Sequence, residues 1–258
     1  MMIDRRLLLA GFCASASPVL AAAPPKLGLI YPGAGGNVSP EAKRMYPTGI
    51  DFIATGVGLG EMTPEGYESV VDKIAPAAKM LAGQGAQGIA VMGTSLTFYK
   101  GAAFNREITR AVERASGLKA VTMSTAVIEG LRTMGAKRVA VATAYNDVVN
   151  ARLRTFLTEE GFEVVSLEGL GVVAFEDINK VTQPMLFEFS AKVAESSPGA
   201  DALLVSCGGL RTLDLLAPLE QRLKLPVVSS MPHAFWAGAR LMGGSGRSPG
   251  FGRLLSRA

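Results

Sequence analysis

The stretch Asp-Ala-Leu-Leu-Val-Ser-Cys-Gly-Gly-Leu (201–210) decides the fold, because a variant of it stands earlier in the chain. That counterpart is Gly-Ile-Ala-Val-Met-Gly-Thr-Ser-Leu (88–96). It pairs Val91 with Val205, Gly93 with Cys207 and Leu96 with Leu210, 114 positions apart. A short apolar run that stops at small residues predicts a buried strand delivering a loop to one edge of a sheet. Two copies predict two sheets. A second match pairs Leu27-Gly28-Leu29-Ile30 with Val139-Ala140-Val141-Ala142 at an offset of 112, so one small insertion separates the halves.

Working outward, the apolar runs Leu27–Tyr31, Asp51–Val57, Gly88–Met92, Lys119–Met123, Arg138–Thr143, Glu163–Leu167, Ala202–Ser206 and Pro226–Ser229 predict strands. Helical periods lie between them at Thr63–Gln84, Phe104–Ala115, Val127–Gly135, Val148–Glu160, Gln183–Ser196 and Leu213–Arg222. Thr63-Pro64-Glu65 marks a helix start, with proline at the first helical position. Strands alternating with helices predict an α/β chain of two Rossmann-like, flavodoxin-like domains related by a pseudo-twofold axis, with parallel sheets covered on both faces. The expected domains are 26–122 with 230–258, and 123–229. Ligands bind at the carboxyl ends of strands in such sheets. The loops after Tyr31, Gly93, Tyr145 and Cys207 are therefore expected to meet in one interdomain cleft.

A chain of 258 residues that is 48% hydrophobic and 19% charged can bury a large core, which excludes disorder and coiled coil. The net charge of +4 is mild, and no basic run with interleaved aromatics forms a nucleic-acid footprint. A small anion is the more natural partner, taken up by a monomer or small homo-oligomer. Residues 1–23 carry Arg5-Arg6, a short apolar run and Ala21-Ala22-Ala23 before Pro24, the pattern of an export signal resembling the twin-arginine type. The run is too short to anchor in a bilayer, so the expectation is periplasmic, or cytoplasmic if the segment is not a functional signal. Cys13 follows Phe12, which argues against lipid attachment. Removing Cys13 with the signal leaves Cys207 without a disulfide partner.

Cys207 therefore contributes no covalent scaffold, and its chemistry becomes the question. Gly208-Gly209 allow backbone N–H groups to approach a ligand as an anion-binding nest. Thr94-Ser95, at the matching position of the first half, add two hydroxyls. An isolated Gly-Gly is explained by a tight turn. The matched position and the thiol point instead to a facing pair of cradles. His233 is the single histidine and reads as a structural group. One His with one free Cys cannot build a zinc site, and no nucleophile elbow is present, so neither metal nor cofactor is expected. Gly33-Ala34-Gly35-Gly36 lacks the acidic residue of a dinucleotide fingerprint.

At these residues the chain resembles the arylmalonate decarboxylases of the aspartate/glutamate racemase superfamily, and it is also similar to maleate cis-trans isomerases. The resemblance runs through Thr-Pro-Glu-Gly-Tyr (63–67), Met-Gly-Thr-Ser-Leu-Thr-Phe-Tyr-Lys-Gly-Ala-Ala-Phe-Asn (92–105), Thr-Met-Ser-Thr-Ala-Val (122–127), Ala-Thr-Ala-Tyr (142–145) and Ser-Cys-Gly-Gly-Leu (206–210). Racemases of the superfamily place a cysteine in each half. Here Gly93 occupies the first thiol position, so a two-base racemisation lacks one base. The resemblance implies cofactor-free decarboxylation of an aryl- or alkenyl-malonate-like dicarboxylate to a chiral monoacid. By that similarity Thr94, Ser95, Tyr145, Gly208 and Gly209 hold one carboxylate and the enediolate, and Cys207 returns the proton. Pro32, Leu59, Met62, Phe175 and Ile178, with Tyr31, form the apolar pocket for the departing carboxylate. Tyr31, Met62, Phe175, Ile178 and Gly33 depart from the family's usual residues, chiefly towards bulk. Two alternatives stand beside this reading: an isomerase or racemase using Cys207 with a non-cysteine partner, and a periplasmic dicarboxylate-binding protein.

Overall fold

The computed structural model describes residues 23–257. The expected export signal thus lies outside the described residues, apart from Ala23. The first half runs β1 (Lys26–Tyr31), α1 (Pro40–Met45), β2 (Asp51–Gly56), α2 (Pro64–Val71), α3 (Ile74–Gly83), β3 (Gly88–Val91), α4 (Thr94–Phe98), α5 (Ala102–Ser116), β4 (Ala120–Thr122) and α6 (Met123–Thr133). The second runs β5 (Arg138–Thr143), α7 (Asp147–Glu159), β6 (Glu163–Gly169), α8 (Gln183–Glu195), β7 (Ala202–Ser206), α9 (Leu216–Leu223), β8 (Val227–Ser229), α10 (Ser230–Leu241) and α11 (Arg253–Ser256). Short 3-10 turns cover Phe175–Lys180 and Leu213–Leu215. Among the described residues no helix is long and apolar enough to cross a membrane.

Both sheets are four-stranded and parallel, with the same order, β2-β1-β3-β4 and β6-β5-β7-β8. The repeat read from the sequence is thus a repeat of topology. β3 and β7 occupy equivalent central places and are buried along their whole length, as expected for parallel strands covered on both faces. Gly93 and Cys207 therefore emerge at equivalent sheet edges.

The halves are joined by α6 and α10, which pack on one another and reach across to the other half's sheet. Gly238 of α10 comes so close to Leu27 of β1 that a Cβ there would sit 2.5 Å from Leu27 Cδ2, so glycine permits the approach. On α6, a Cβ at Gly130 would meet Val228 of β8 at 3.2 Å. Further ties flank the cleft. Arg44 forks onto Asp214 (2.8 and 2.6 Å), and the Leu213 N–H donates to Glu41 Oε1 (3.1 Å). On the opposite side the Met62 N–H donates to the Val173 carbonyl (2.8 Å) and the Phe175 N–H to the Gly60 carbonyl (2.9 Å).

Some elements differ from expectation for identifiable reasons. The single helix expected over 63–84 is two. Pro76 has no N–H, and its ring in a continuous helix would collide with the Asp72 carbonyl, so the chain breaks at Asp72-Lys73 and Pro76 falls in the first turn of α3. The Thr63 cap is as expected, its side chain accepting from Gly66 N–H (3.1 Å). Helix α6 begins at Met123 instead of Val127 because Thr122 caps it, accepting from Thr125 N–H (3.0 Å). The helices α1, α4, α10 and α11 were not anticipated as elements.

Candidate active site

Cys207 follows β7 and is 4% exposed. Its backbone N–H donates to Ser230 Oγ (3.2 Å), the first residue of α10, and the same oxygen accepts from Thr94 Oγ1 (2.8 Å). One hydroxyl thereby ties the thiol segment of the second half to the α4 turn of the first. Gly208 is pressed against the first half as well: a Cβ there would lie 3.0 Å from the Met92 carbonyl oxygen and 2.9 Å from Met123 Sδ. A side chain here would be tight against both neighbours.

A cavity of about 510 Å³ opens over this junction. Its walls include Cys207, Gly208, Gly209, Gly93, Thr94 and Ser95 from the two matched loops. They also include the apolar candidates Tyr31, Pro32, Leu59, Met62 and Phe175. The loop pairing at Gly60, Met62, Val173 and Phe175 presents the last two of these from opposite halves. Gly33 faces Phe175, whose Cε1 would be 2.8 Å from a Cβ at 33. The bulk at 175 thus fills space that the glycine leaves.

Two of the sequence candidates stand elsewhere. Ile178 does not line this cavity. It backs the glycine turn, with Cδ1 2.7 Å from where a Gly209 Cβ would be, and lines a neighbouring cavity. Tyr145 is fully buried and outside the lining, with its hydroxyl 3.4 Å from Ser206 Oγ and beside Ser95 and Cys207. Its neighbours are Ser95, Tyr67 and the thiol, so it stands behind the cavity wall next to the matched loops. His233 is also outside. It is fully buried, and Nδ1 meets the Ser229 backbone N–H at 3.0 Å, a local cap for α10.

Burial pushes the Cys207 thiol up to about 11, while N–H groups of Gly209 and Leu210 and the Tyr145 hydroxyl pull weakly the other way. No cation contributes, so the resting group is a neutral thiol. Tyr145 and Tyr67 are raised by burial too and stay protonated. Tyr67 was quoted in the sequence without a role. Its buried hydroxyl has no hydrogen-bond partner, and it lies beside Ser95 and Cys207. Ser230 was missed because nothing in Val-Ser-Ser-Met marks which serine faces the cleft. Among the described residues no three His, Cys, Asp or Glu groups cluster as a metal site.

Two parallel sheets of one topology, with a lone neutral thiol where their matched loops meet, define a two-domain α/β enzyme with an interdomain cleft. The arylmalonate decarboxylase family model matches residues 27–255, and the chain belongs to that family of carboxy-lyases. It is 46% identical over 238 residues to arylmalonate decarboxylase of Bordetella bronchiseptica, covering 92% of this chain and 99% of that one. A liganded arylmalonate decarboxylase carrying a glycine-to-cysteine and a cysteine-to-serine change superposes with a TM-score of 0.88 at 45% identity, covering 91% of this chain and all of the other. A maleate cis-trans isomerase from Nocardia farcinica superposes at a TM-score of 0.80 with 22% identity over 90% of this chain and 97% of its own, a likeness of fold.

Proposed function

We propose that the protein decarboxylates an aryl- or alkenyl-substituted malonate to a chiral monoacid without a cofactor, with Cys207 as the proton donor. The observation that carries this reading is the neutral, buried Cys207 thiol facing Gly93, the equivalent position of the other half. One carboxylate of the substrate accepts hydrogen bonds from the Ser95 hydroxyl and from N–H groups at Thr94, Ser95, Gly208 and Gly209, with the hydroxyls of Tyr67 and Tyr145 beside Ser95. The other carboxylate sits against Leu59, Met62, Phe175 and Pro32. There its carbon–carbon bond breaks, CO2 leaves, and the electron pair passes into an enediolate. A carboxylate is poorly solvated by such walls and CO2 is neutral, which favours loss in that direction. Donors held in place for the developing oxyanion contribute about 2.7–4 kcal/mol each by the usual cost of removing one. The Cys207 Sγ–H proton then goes to one face of the planar carbon, and the thiolate is reprotonated from water. A racemase needs a second group on the opposite face, where Gly93 has only hydrogen.

The test is CO2 release from phenylmalonate and 2-methyl-2-phenylmalonate, with the chirality of the 2-phenylpropionate formed from the latter, with chelator present, for the wild type and Cys207→Ser. Cysteine-dependent release with one enantiomer in excess is expected. Exchange of the α-proton without CO2 release would favour an isomerase, and tight binding without turnover that survives Cys207→Ser would favour a binding protein. Export by the N-terminal segment is a separate proposal, tested by cell fractionation with and without Arg5-Arg6→Lys-Lys.

A further inference from the structure

The thiol cavity does not end at the thiol. It shares Ser39, Glu41, Asn179, Gly209 and Arg211 with a second cavity of about 520 Å³, whose further walls carry Gln183 and the Arg44–Asp214 pair. The inner chamber is apolar on one side and rich in neutral donors on the other. The outer one is polar. Arg211, four residues after the thiol, is exposed and stands on the shared wall.

Arg211 is the one guanidinium lining the inner chamber, and among the described residues it forms no ion pair. Of the acids nearby, Asp214 is engaged elsewhere, and Glu41 has one oxygen bonded and the other buried without a partner. Asp214 takes both Nη atoms of Arg44, and Glu41 accepts from the Leu213 N–H while burial pushes its carboxyl above the usual carboxylate range. The reacting head of the substrate has neutral donors enough and leaves this charge unused. We propose that Arg211 is a specificity-determining residue that selects malonates whose aryl or alkenyl substituent ends in an anionic group, a carboxylate or sulfonate, held where the two chambers join. A planar fork of donors matches such a group bidentately. The proposal rests on the decarboxylase reading of the inner cavity.

The experiment compares kcat/KM for 2-(4-carboxyphenyl)-2-methylmalonate and 2-phenyl-2-methylmalonate in the wild type, Arg211→Leu and Arg211→Lys. A hydrogen bond to a charged group contributes about 1.5–3 kcal/mol, so the ratio of the two values should fall about tenfold or more in Arg211→Leu, with partial recovery in Arg211→Lys. The wild-type ratio should also shrink with added salt. An unchanged ratio overturns the proposal, and an equal loss on both substrates assigns Arg211 to stacking on the ring instead. If neither diacid releases CO2, the decarboxylase reading fails by itself. Arg211 is then judged by calorimetric titration with 2-(4-carboxyphenyl)propionate and 2-phenylpropionate. A tenfold preference for the former that Arg211→Leu abolishes supports the role, and equal affinities refute it.

Discussion

Gly93→Cys tests the pseudo-symmetry directly, because it restores a thiol at the position equivalent to Cys207. The backbone at Gly93 has φ −138° and ψ 104°, an extended conformation open to any residue, so the cost is steric. A Cβ there would lie 2.8 Å from Pro32 Cγ and 3.1 Å from Leu96 Cβ. Pro32 belongs to the loop after β1 and can give way, whereas Leu96 is fixed in α4. Overpacking of this kind costs about 1–3 kcal/mol. For a chain of this size each kcal/mol lowers Tm by about 2–4 °C, so a fall of roughly 2–12 °C is expected. The chemical outcome is loss of enantiopurity and slow racemisation of added product. Racemisation needs one of the two thiols as thiolate. With Cys207 at about 11, the ionised fraction at pH 8 is only about one in a thousand, and it rises tenfold per pH unit up to that value. The assay is deuterium incorporation at the α-carbon of enantiopure product, followed by NMR from pH 7 to 10. A cooperatively folded variant that incorporates no deuterium and keeps the wild-type enantiomeric excess would refute the equivalence of positions 93 and 207.

The remaining predictions concern the thiol, its anchor and the buried histidine. Cys207→Ser should lower product formation by about 10²–10⁴-fold, the usual contribution of a positioned proton donor, measured as CO2 release. Wild-type turnover should be level from pH 7 to 10 and fall as pH rises through about 11, because the acid form is the active one; a fall beginning near pH 8 would mean the thiol is not raised. Ser230→Ala leaves the Cys207 N–H and the Thr94 hydroxyl without their acceptor, at a cost of about 1–3 kcal/mol, and kcat should drop more than KM changes. His233 is fully buried and depressed from 6.5 to about 4. The unfolded chain therefore binds the proton first, and stability present above pH 6.5 is lost as pH falls towards 4, by about 3 kcal/mol, in urea titrations. His233→Gln should remove that part of the slope.

The fold was legible because the signals for it are local and repeated. Eight apolar runs alternating with helical periods mark eight strands, and the doubled Val-x-Gly/Cys segment ties β3 to β7 before any contact is known. Helix ends were less legible. Pro76 could have announced the break at Asp72-Lys73, but the apolar period runs through it and hides the missing N–H. The cavity's loops were legible as a set because the repeat brings Thr94-Ser95 opposite Gly208-Gly209. Depth was not. Tyr145 and Ile178 both come from loops near the cleft, yet one is fully buried beside the thiol and Ser95 and the other lies behind the glycine turn, and sequence spacing carries no information on which side of a loop a side chain falls. The places of Ser230 and Arg211 depend on the packing of α10 and on the path after Gly209.

The structure also explains why duplication can yield a one-sided site. Two copies of one topology supply two equivalent positions at the cleft, and a thiol at both would make the faces of a bound planar carbon chemically alike. Here one copy keeps hydrogen at Gly93, pressed against Pro32 and Leu96, and the other keeps the thiol. The loops beyond have diverged in step: Thr94-Ser95 bring hydroxyls, while Gly208, where a side chain would be tight against Met92 and Met123, contributes bare backbone. In the proposed reaction, burial without a cation sets the role of the thiol. A neighbouring Lys or Arg would stabilise the thiolate and make a base or nucleophile of it, whereas apolar walls favour the neutral form and make it an acid. Arg211, the cation of the inner walls, is absent from the groups that perturb Cys207. A substitution that brings positive charge beside Cys207, such as Met231→Lys on the cavity wall, should therefore lower the thiol pKa and slow protonation of the enediolate while speeding alkylation by iodoacetamide, and unchanged alkylation in a folded variant would show that burial does not set the thiol's state.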